Sequence, residues 1–97
     1  MTLEQLRIFL AVAEEMNMTR ASERVHVSQP AVSSAIAALE QRYETKLFDR
    51  VGRGLELTEA GRLLLPEARA VLGRVSDARR LLGELVGLER GEVRIAA

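Results

Sequence analysis

Apolar residues recur at helical spacing from the start of the chain. Leu6, Phe9, Leu10 and Ala13 follow one another at i, i+3, i+4 and i+7, the pattern of an amphipathic helix. Thr2-Leu3-Glu4-Gln5 ahead of them has the form of a capping box. Ile8 and Val12 add a second apolar strip. A helix apolar on two sides in so small a chain predicts two contacts, one with its own core and one with something else, such as a partner subunit. Asn17 is the expected stop. Thr19 is then placed to cap a short second helix with Ala21 and Val25 on one face, and His26-Val27 to turn tightly. Ser28 caps the next helix, and Pro30 falls in its first turn, where the missing N–H has no helical partner to lose. Beyond it Val32, Ile36, Leu39 and Tyr43 form a continuous stripe.

From Leu47 to Leu57 the period changes. Two short alternating pieces surround Gly52-Arg53-Gly54, which predicts a hairpin with Arg50 and Arg53 at its tip and both glycines at positive φ. Thr58 caps a long helical segment, Glu59 to Val86, about 42 Å if unbroken. Along it Leu64, Ala68, Val71, Val75, Ala78, Leu82 and Leu85 keep alternating spacings of four and three, a seam that calls for a partner helix. Pro66, Gly73 and Gly83 work against that helix, and a bend is expected near Arg62 to Pro66. The tail ends in Glu92-Val93-Arg94-Ile95-Ala96-Ala97, an alternating piece that reads as the first strand of a further domain.

The chain of 97 residues builds one core, which excludes an enzyme with separate cofactor and substrate lobes. With 47% hydrophobic and 29% charged residues it is expected to fold. There is no Cys, hence no disulfide framework or thiolate metal site. The N-terminus lacks a basic region followed by an apolar run, and no apolar stretch reaches membrane-spanning length, so a cytoplasmic chain without a membrane segment is expected. Fourteen bases balance fourteen acids, which withholds the simplest argument for a nucleic-acid partner. The balance is uneven along the chain. Residues 1–18 carry one base and three acids, residues 19–53 six and four, and residues 54–97 seven and seven.

Catalysis has little to stand on: there is one His, no Cys and no acid pair of distinctive spacing. His26 reads as a turn residue, and Gly52-Arg53-Gly54 is not a phosphate loop, because it opens into a strand. No cofactor is implied. The informative unit is the helix pair Thr19 to Tyr43. On its second helix Gln29, Pro30, Ser33, Ser34 and Ala37 project away from the apolar stripe, where solvated faces usually carry Lys and Glu. Such a face lets a helix backbone approach a flat surface, with Gln able to pair with adenine and Ser with phosphate or base edges. On composition alone an inconsequential Ser/Ala surface is an equal reading. The Arg-bearing hairpin just downstream favours the first, because a recognition helix followed by a two-stranded wing is the layout of a winged helix-turn-helix. The expected fold is therefore mainly α, three helices plus a two-stranded wing, followed by a long linker helix.

These residues carry a resemblance. Phe9-Leu10-Ala11-Val12-Ala13-Glu14-Glu15, the run Thr19 to Ser33 with its Ser28-Gln29-Pro30-Ala31-Val32-Ser33 block, and then Ile36, Leu39-Glu40, Leu47-Phe48-Asp49-Arg50, Arg53 and Leu57-Thr58-Glu59-Ala60-Gly61 resemble the N-terminal part of LysR-type transcriptional regulators over about residues 2–66. The resemblance implies major-groove contacts from Gln29, Pro30, Ser33 and Ser34, phosphate contacts near Thr19, Arg20 and Ser28, and a wing contact in the minor groove from Arg53, with Arg50 beside it. It implies a winged helix-turn-helix over 1–58, a dimerising linker helix over 59–88, and at 89–97 a hinge into an effector-binding domain absent from these residues. Its partners would be double-stranded DNA with an interrupted palindrome and a second copy through Leu64, Ala68, Val71, Val75, Ala78, Leu82 and Leu85. A tetramer would form in the intact protein, with a small-molecule effector in the absent domain. Two departures stand out. Tyr43-Glu44 replaces the usual Leu-Gly, so either a non-Gly residue ends the helix in the left-handed region or the helix runs on. Ser34 replaces a common Arg or Gln, which shifts weight from base contacts toward DNA shape. The competing reading is a protein-interaction or oligomerisation module on the same fold, for which neutral net charge is the best support.

Overall fold

The computed structural model describes residues 1–89, with the side chains through Leu88, in the order α1 (Leu3–Glu15), α2 (Met18–Val25), α3 (Gln29–Tyr43), β1 (Phe48–Val51), β2 (Gly54–Leu57) and α4 (Glu59–Glu89). The alternating tail piece Glu92–Ala97 lies outside the described residues.

Side-chain caps define the helix starts. At α1 the Thr2 hydroxyl accepts from the Gln5 N–H at 3.0 Å, and the Gln5 side chain accepts from the Thr2 N–H at 3.0 Å, a complete capping box. Asn17 does not stop α1. Met16 ends that helix in the left-handed region at φ 50°, and Asn17 caps α2, its Oδ1 accepting from the Arg20 N–H at 2.8 Å. Thr19 accordingly lies in the first turn of α2 and is not its cap, because Asn17, two residues earlier, already satisfies a free N–H. His26 ends α2 at φ 59°, and Ser28 caps α3 by accepting from the Ala31 N–H at 3.2 Å. Glu44 ends α3 at φ 50°, so the chain takes the non-Gly left-handed solution, at a cost on the order of 1 kcal/mol.

The core gathers around α1. Phe9, Val12, Val32 and Leu39 are fully buried, and α1 packs against α2, α3 and α4 together. The expectation that its second strip would meet a partner is thereby corrected: Ile8 and Val12 are both buried within the chain, because α4 returns across α1 and covers what α2 and α3 leave open. The stripe on α3 holds for Val32, Ile36 and Leu39 but not for Tyr43, which is half exposed, its hydroxyl accepting from the N-terminal ammonium at 3.1 Å.

β1 and β2 pair antiparallel, with Phe48 opposite Leu57 and Val51 opposite Gly54. Phe48 anchors the hairpin, its ring 5.5 Å from that of Phe9. Of the hairpin glycines only Gly52 takes a positive φ, 58°, so the expectation for Gly54 was wrong: one left-handed residue suffices to reverse this chain. The tip is Gly52-Arg53. Arg50 sits inside β1 opposite Leu55, a correction to its expected place at the tip.

Thr58 ties the wing to α4. Its hydroxyl accepts from the Gly61 N–H at 3.1 Å and donates to the Lys46 carbonyl at 2.6 Å, while its own N–H donates to the Leu47 carbonyl at 3.0 Å. From there α4 runs 31 residues, past the expected end at Val86 and without interruption through Arg62–Pro66, about 46 Å of helix. Its first half seats on the core. Ala68 is fully buried there, and Leu64, Leu65 and Leu72 pack half-buried against it. Ala68 therefore cannot belong to a dimer seam as expected, and Leu64 packs on the chain's own core. Val75 is half-buried, whereas Val71, Ala78, Leu82 and Leu85 are exposed. No described helix is long and apolar enough to cross a membrane.

Candidate nucleic-acid interface

The solvent face of α3 is built from small and uncharged residues. With Val32, Ile36 and Leu39 turned inward, the exposed positions along most of its length are Gln29, Pro30, Ala31, Ser34, Ala37, Ala38 and Gln41. The sequence reading named Gln29, Pro30, Ser34 and Ala37 and missed Ala38 and Gln41, which lie one and two turns beyond Ser34 on the same face. Ser33 differs from its neighbours. It is half-buried and lines a groove of about 310 Å³ between α3 and the wing, together with Met18, Lys46, Asp49 and Arg50. The fold thus brings Ser33 and Arg50 to one groove, leaves Gln29, Pro30 and Ser34 on the open face, and sets Arg53 apart at the exposed wing tip.

Thr19 and Arg20 are exposed on the first turn of α2, and Ser28 is exposed at the α3 cap. Ser28 holds its hydroxyl on the Ala31 N–H; Thr19 lends its carbonyl to the Ser22 hydroxyl at 2.7 Å and keeps its own hydroxyl outside that bond. Among the described residues no carboxylate pairs with Arg20, Arg50 or Arg53, in contrast to Arg7, Arg24, Arg69 and Arg80. Arg42, Arg62, Arg74 and Arg79 also lack a carboxylate there, so availability alone does not single out a phosphate contact. Arg20 lies on α2 ahead of α3, and Arg50 and Arg53 follow it on the wing.

Two anchors missed in the sequence hold this arrangement. The first is Glu40, whose Oε2 accepts from the Leu47 N–H at 2.8 Å and the Phe48 N–H at 3.4 Å, so a side chain of α3 fixes where β1 begins. The second is Glu14, shared between Arg24 of α2 at 2.6 Å and Arg69 of α4 at 3.0 Å, with Glu15 on Arg24 at 3.3 Å. The Arg24 guanidinium, helped by Arg69, holds the Glu14 carboxyl below the usual carboxylate range, so the cluster stays charged at neutral pH and loosens only as acid protonates it. Neither had a sequence signal beyond one acid among many, because the partners lie on other elements, seven and eight residues from Glu40 and ten and 55 from Glu14. Among the described residues no cluster of His, Asp and Glu could hold a metal ion.

Residues 3–62 match the profile of the bacterial regulatory helix-turn-helix proteins of the lysR family. The chain is 50% identical over 96 residues, 99% of its length, to an uncharacterized HTH-type transcriptional regulator in the ibpB-leuC intergenic region of Azotobacter vinelandii, of which it covers 67%. It is 43% identical over 95 residues, 98% of its length, to the RuBisCO operon transcriptional regulator of Allochromatium vinosum, of which it covers 32%. Two solved structures of DNA complexes share the fold. The BenM DNA-binding domain on catB site 1 superposes with a TM-score of 0.83 at 29% identity, covering 89% of this chain and 97% of that one. The CbnR DNA-binding domain on DNA superposes with a TM-score of 0.73 at 43% identity, covering 86% and 99%. These relatives are transcriptional regulators and not enzymes. With its three N-terminal helices, two-stranded wing and long final helix, the chain is a winged helix-turn-helix protein of the lysR family of bacterial regulators.

Proposed function

We propose that the chain binds double-stranded DNA sequence-specifically as a homodimer, with α3 in the major groove. The observation that carries this is the exposed, uncharged α3 face, flanked by the guanidiniums of Arg20 on α2 and Arg50 and Arg53 on the wing, which no carboxylate occupies among the described residues. A helix bearing small residues approaches base edges without steric cost, and Gln29, Pro30, Ser33 and Ser34 are the residues that read them. Thr19, Arg20 and Ser28 meet phosphates, Arg53 enters the minor groove from the wing tip, and Arg50 works from the groove beside α3. Local charge does this work: residues 19–53 carry six bases and four acids while the whole chain is neutral. Residues 1–58 form the DNA-binding unit, 59–88 the linker helix, and 89–97 a hinge. In the Allochromatium relative the matched part is about a third of the chain; tetramer formation and response to a small-molecule effector reside, on this reading, in parts outside these 97 residues.

The exposed apolar residues of the distal α4 support the dimer. Leu81 is 67% exposed, Leu82 62% and Leu88 74%, with Leu85 and Val86 between them, a density that marks an interface. Val71, Val75, Ala78, Leu82 and Leu85 form the seam, which begins beside Leu72, the last leucine of α4 packed on the core, and runs on into the exposed distal half. Leu82→Asp buries an uncompensated charge there while touching nothing within the protomer. Sedimentation equilibrium is expected to show the dimer dissociation constant rise at least about a hundredfold, some 2.7 kcal/mol, with the melting temperature of the monomer unchanged. A dimer of undiminished strength moves the interface off this seam.

Selection from a random duplex library at near-physiological salt tests the reading as a whole. An enriched interrupted palindrome with A/T-rich flanks supports it; retention without sequence enrichment that disappears as salt rises reduces the contact to phosphates alone and contradicts it. On the selected duplex Arg53→Ala is expected to weaken binding about tenfold and to flatten the preference for A/T flanks, as measured by fluorescence anisotropy. Unchanged affinity and preference would remove the wing from the interface.

A further inference from the structure

We propose that Glu14 and Arg69 are positioning residues for DNA spacing: the carboxylate that joins α1 to α2 and α4 fixes the angle at which α4 leaves the winged domain, and thereby the separation of the two recognition helices. The inference rests on the dimeric DNA-binding reading above and deepens it.

α4 is held in two ways. Near its start Gly61 is wedged against Leu47 and Leu57, and Thr58 bonds to Lys46 and Leu47, so this end is a fixed pivot. Farther along, the seat is apolar: Leu65, Ala68 and Leu72 lie on the core. Such contacts fix how closely two helices approach but resist sliding and rotation weakly, because the hydrophobic effect has no direction. Arg69 supplies the direction. Its Nε donates to Glu14 Oε2 at 3.0 Å, while Glu14 Oε1 accepts from Arg24 Nη2 at 2.6 Å. Glu14 is thus held on α2 by one oxygen and holds α4 by the other, and Glu15 on Arg24 at 3.3 Å keeps that guanidinium in place. Past Val75 the side chains from Ser76 through Val86 are all exposed, so over that stretch no contact among the described residues corrects the direction of α4.

The lever is long. Gly61 and Arg69 are eight residues apart, about 12 Å along the helix, and Gly61 and Glu89 are 28 apart, about 42 Å. A shift of about 1 Å at Arg69 therefore becomes roughly 3.5 Å at the far end, close to the 3.4 Å rise of one base pair. In a dimer joined through the distal half of α4 that displacement is passed to the partner's winged domain. An exposed ion pair worth little to stability here decides geometry.

The experiment compares the native chain with Arg69→Ala and Arg69→Lys. The alanine variant leaves the Glu14 to Arg24 bond in place and favours helix, and the lysine variant keeps the charge. The probes are duplexes carrying the selected half-site once, or twice in inverted orientation with the separation varied one base pair at a time. The native chain is expected to prefer one spacing over its neighbours about tenfold. Arg69→Ala is expected to reduce that discrimination to threefold or less while single half-site affinity and dimer strength by sedimentation stay within twofold, and Arg69→Lys to recover it. An unaltered spacing profile in Arg69→Ala overturns the proposal, as does a loss of spacing preference that merely tracks lost half-site affinity or lost dimer. A native chain that is monomeric, or that shows no spacing preference, overturns the dimeric reading itself and this inference with it.

Discussion

Ser34→Glu is expected to lower affinity for the selected duplex more than about a hundredfold while leaving the fold untouched. Ser34 is exposed on the open face of α3 and has no hydrogen-bonded partner among the described residues, so the longer side chain meets no neighbour in the free protein. Against DNA it places a carboxylate where the helix backbone approaches base edges and phosphates, and like charges brought together at an interface cost several kcal/mol. About 2.7 kcal/mol already corresponds to a hundredfold. Anisotropy titration gives the affinity and a thermal melt the stability. Ser33 serves this purpose less well, because it is half-buried in the groove it shares with Glu40 and Asp49, and a carboxylate there would disturb the fold as well as the contact. Binding retained by Ser34→Glu would place DNA on another surface.

Gly61→Ala is expected to destabilise the chain strongly, although alanine is the better helix former. A Cβ at this position overlaps the Leu47 carbonyl oxygen and comes within 2.7 Å of Leu57 Cδ2. The carbonyl is backbone, and it also accepts the Thr58 N–H at 3.0 Å, so relief requires the start of α4 to move off the wing. Overpacking against rigid backbone costs about 3 kcal/mol, and alanine returns about 1 kcal/mol of helix propensity. The net, about 2 kcal/mol, corresponds to a melting temperature lower by roughly 10 °C for a domain of this size. Gly73→Ala provides the contrast: nothing lies within 4 Å of its added Cβ, so the propensity gain stands alone and the melting temperature is expected to rise. Equal shifts in both variants would mean that the tight seat at Gly61 does not exist in solution.

Much of the fold was legible because it rests on local rules. The capping box at Thr2, the Ser28 cap, the α3 stripe and the wing hairpin each follow from neighbours within a few residues. The errors have local causes too. Thr19 reads as a cap because it precedes an apolar pair, but Asn17 is equally qualified, and Met16 takes the left-handed turn that frees it. The larger misreading concerns α1 and α4. Periodicity showed that Ile8, Val12, Leu64 and Ala68 are apolar and aligned, but not what covers them. Both helices present those residues to each other and to the core, so Ala68 vanished from the seam and Ile8 and Val12 needed no partner. The same blindness hid Glu14 and Glu40, whose partners are distant in sequence. The candidate interface was more readable, since what distinguishes α3 is the absence of Lys and Glu over most of its exposed face, a property of the sequence itself.

The central claim is that α3 and the wing touch DNA while the distal α4 touches a second copy. Amide chemical shifts of the isotope-labelled chain, followed as the selected duplex is added, test it most directly, because every described element reports separately. The largest changes are expected at Gln29, Ser33, Ser34 and Ala37, with a second set at Arg50 and Arg53 and little change from Leu81 to Leu88. Large changes along Leu81 to Leu88 with α3 and the wing silent would contradict it, and would make the exposed seam of α4 the surface that meets the duplex.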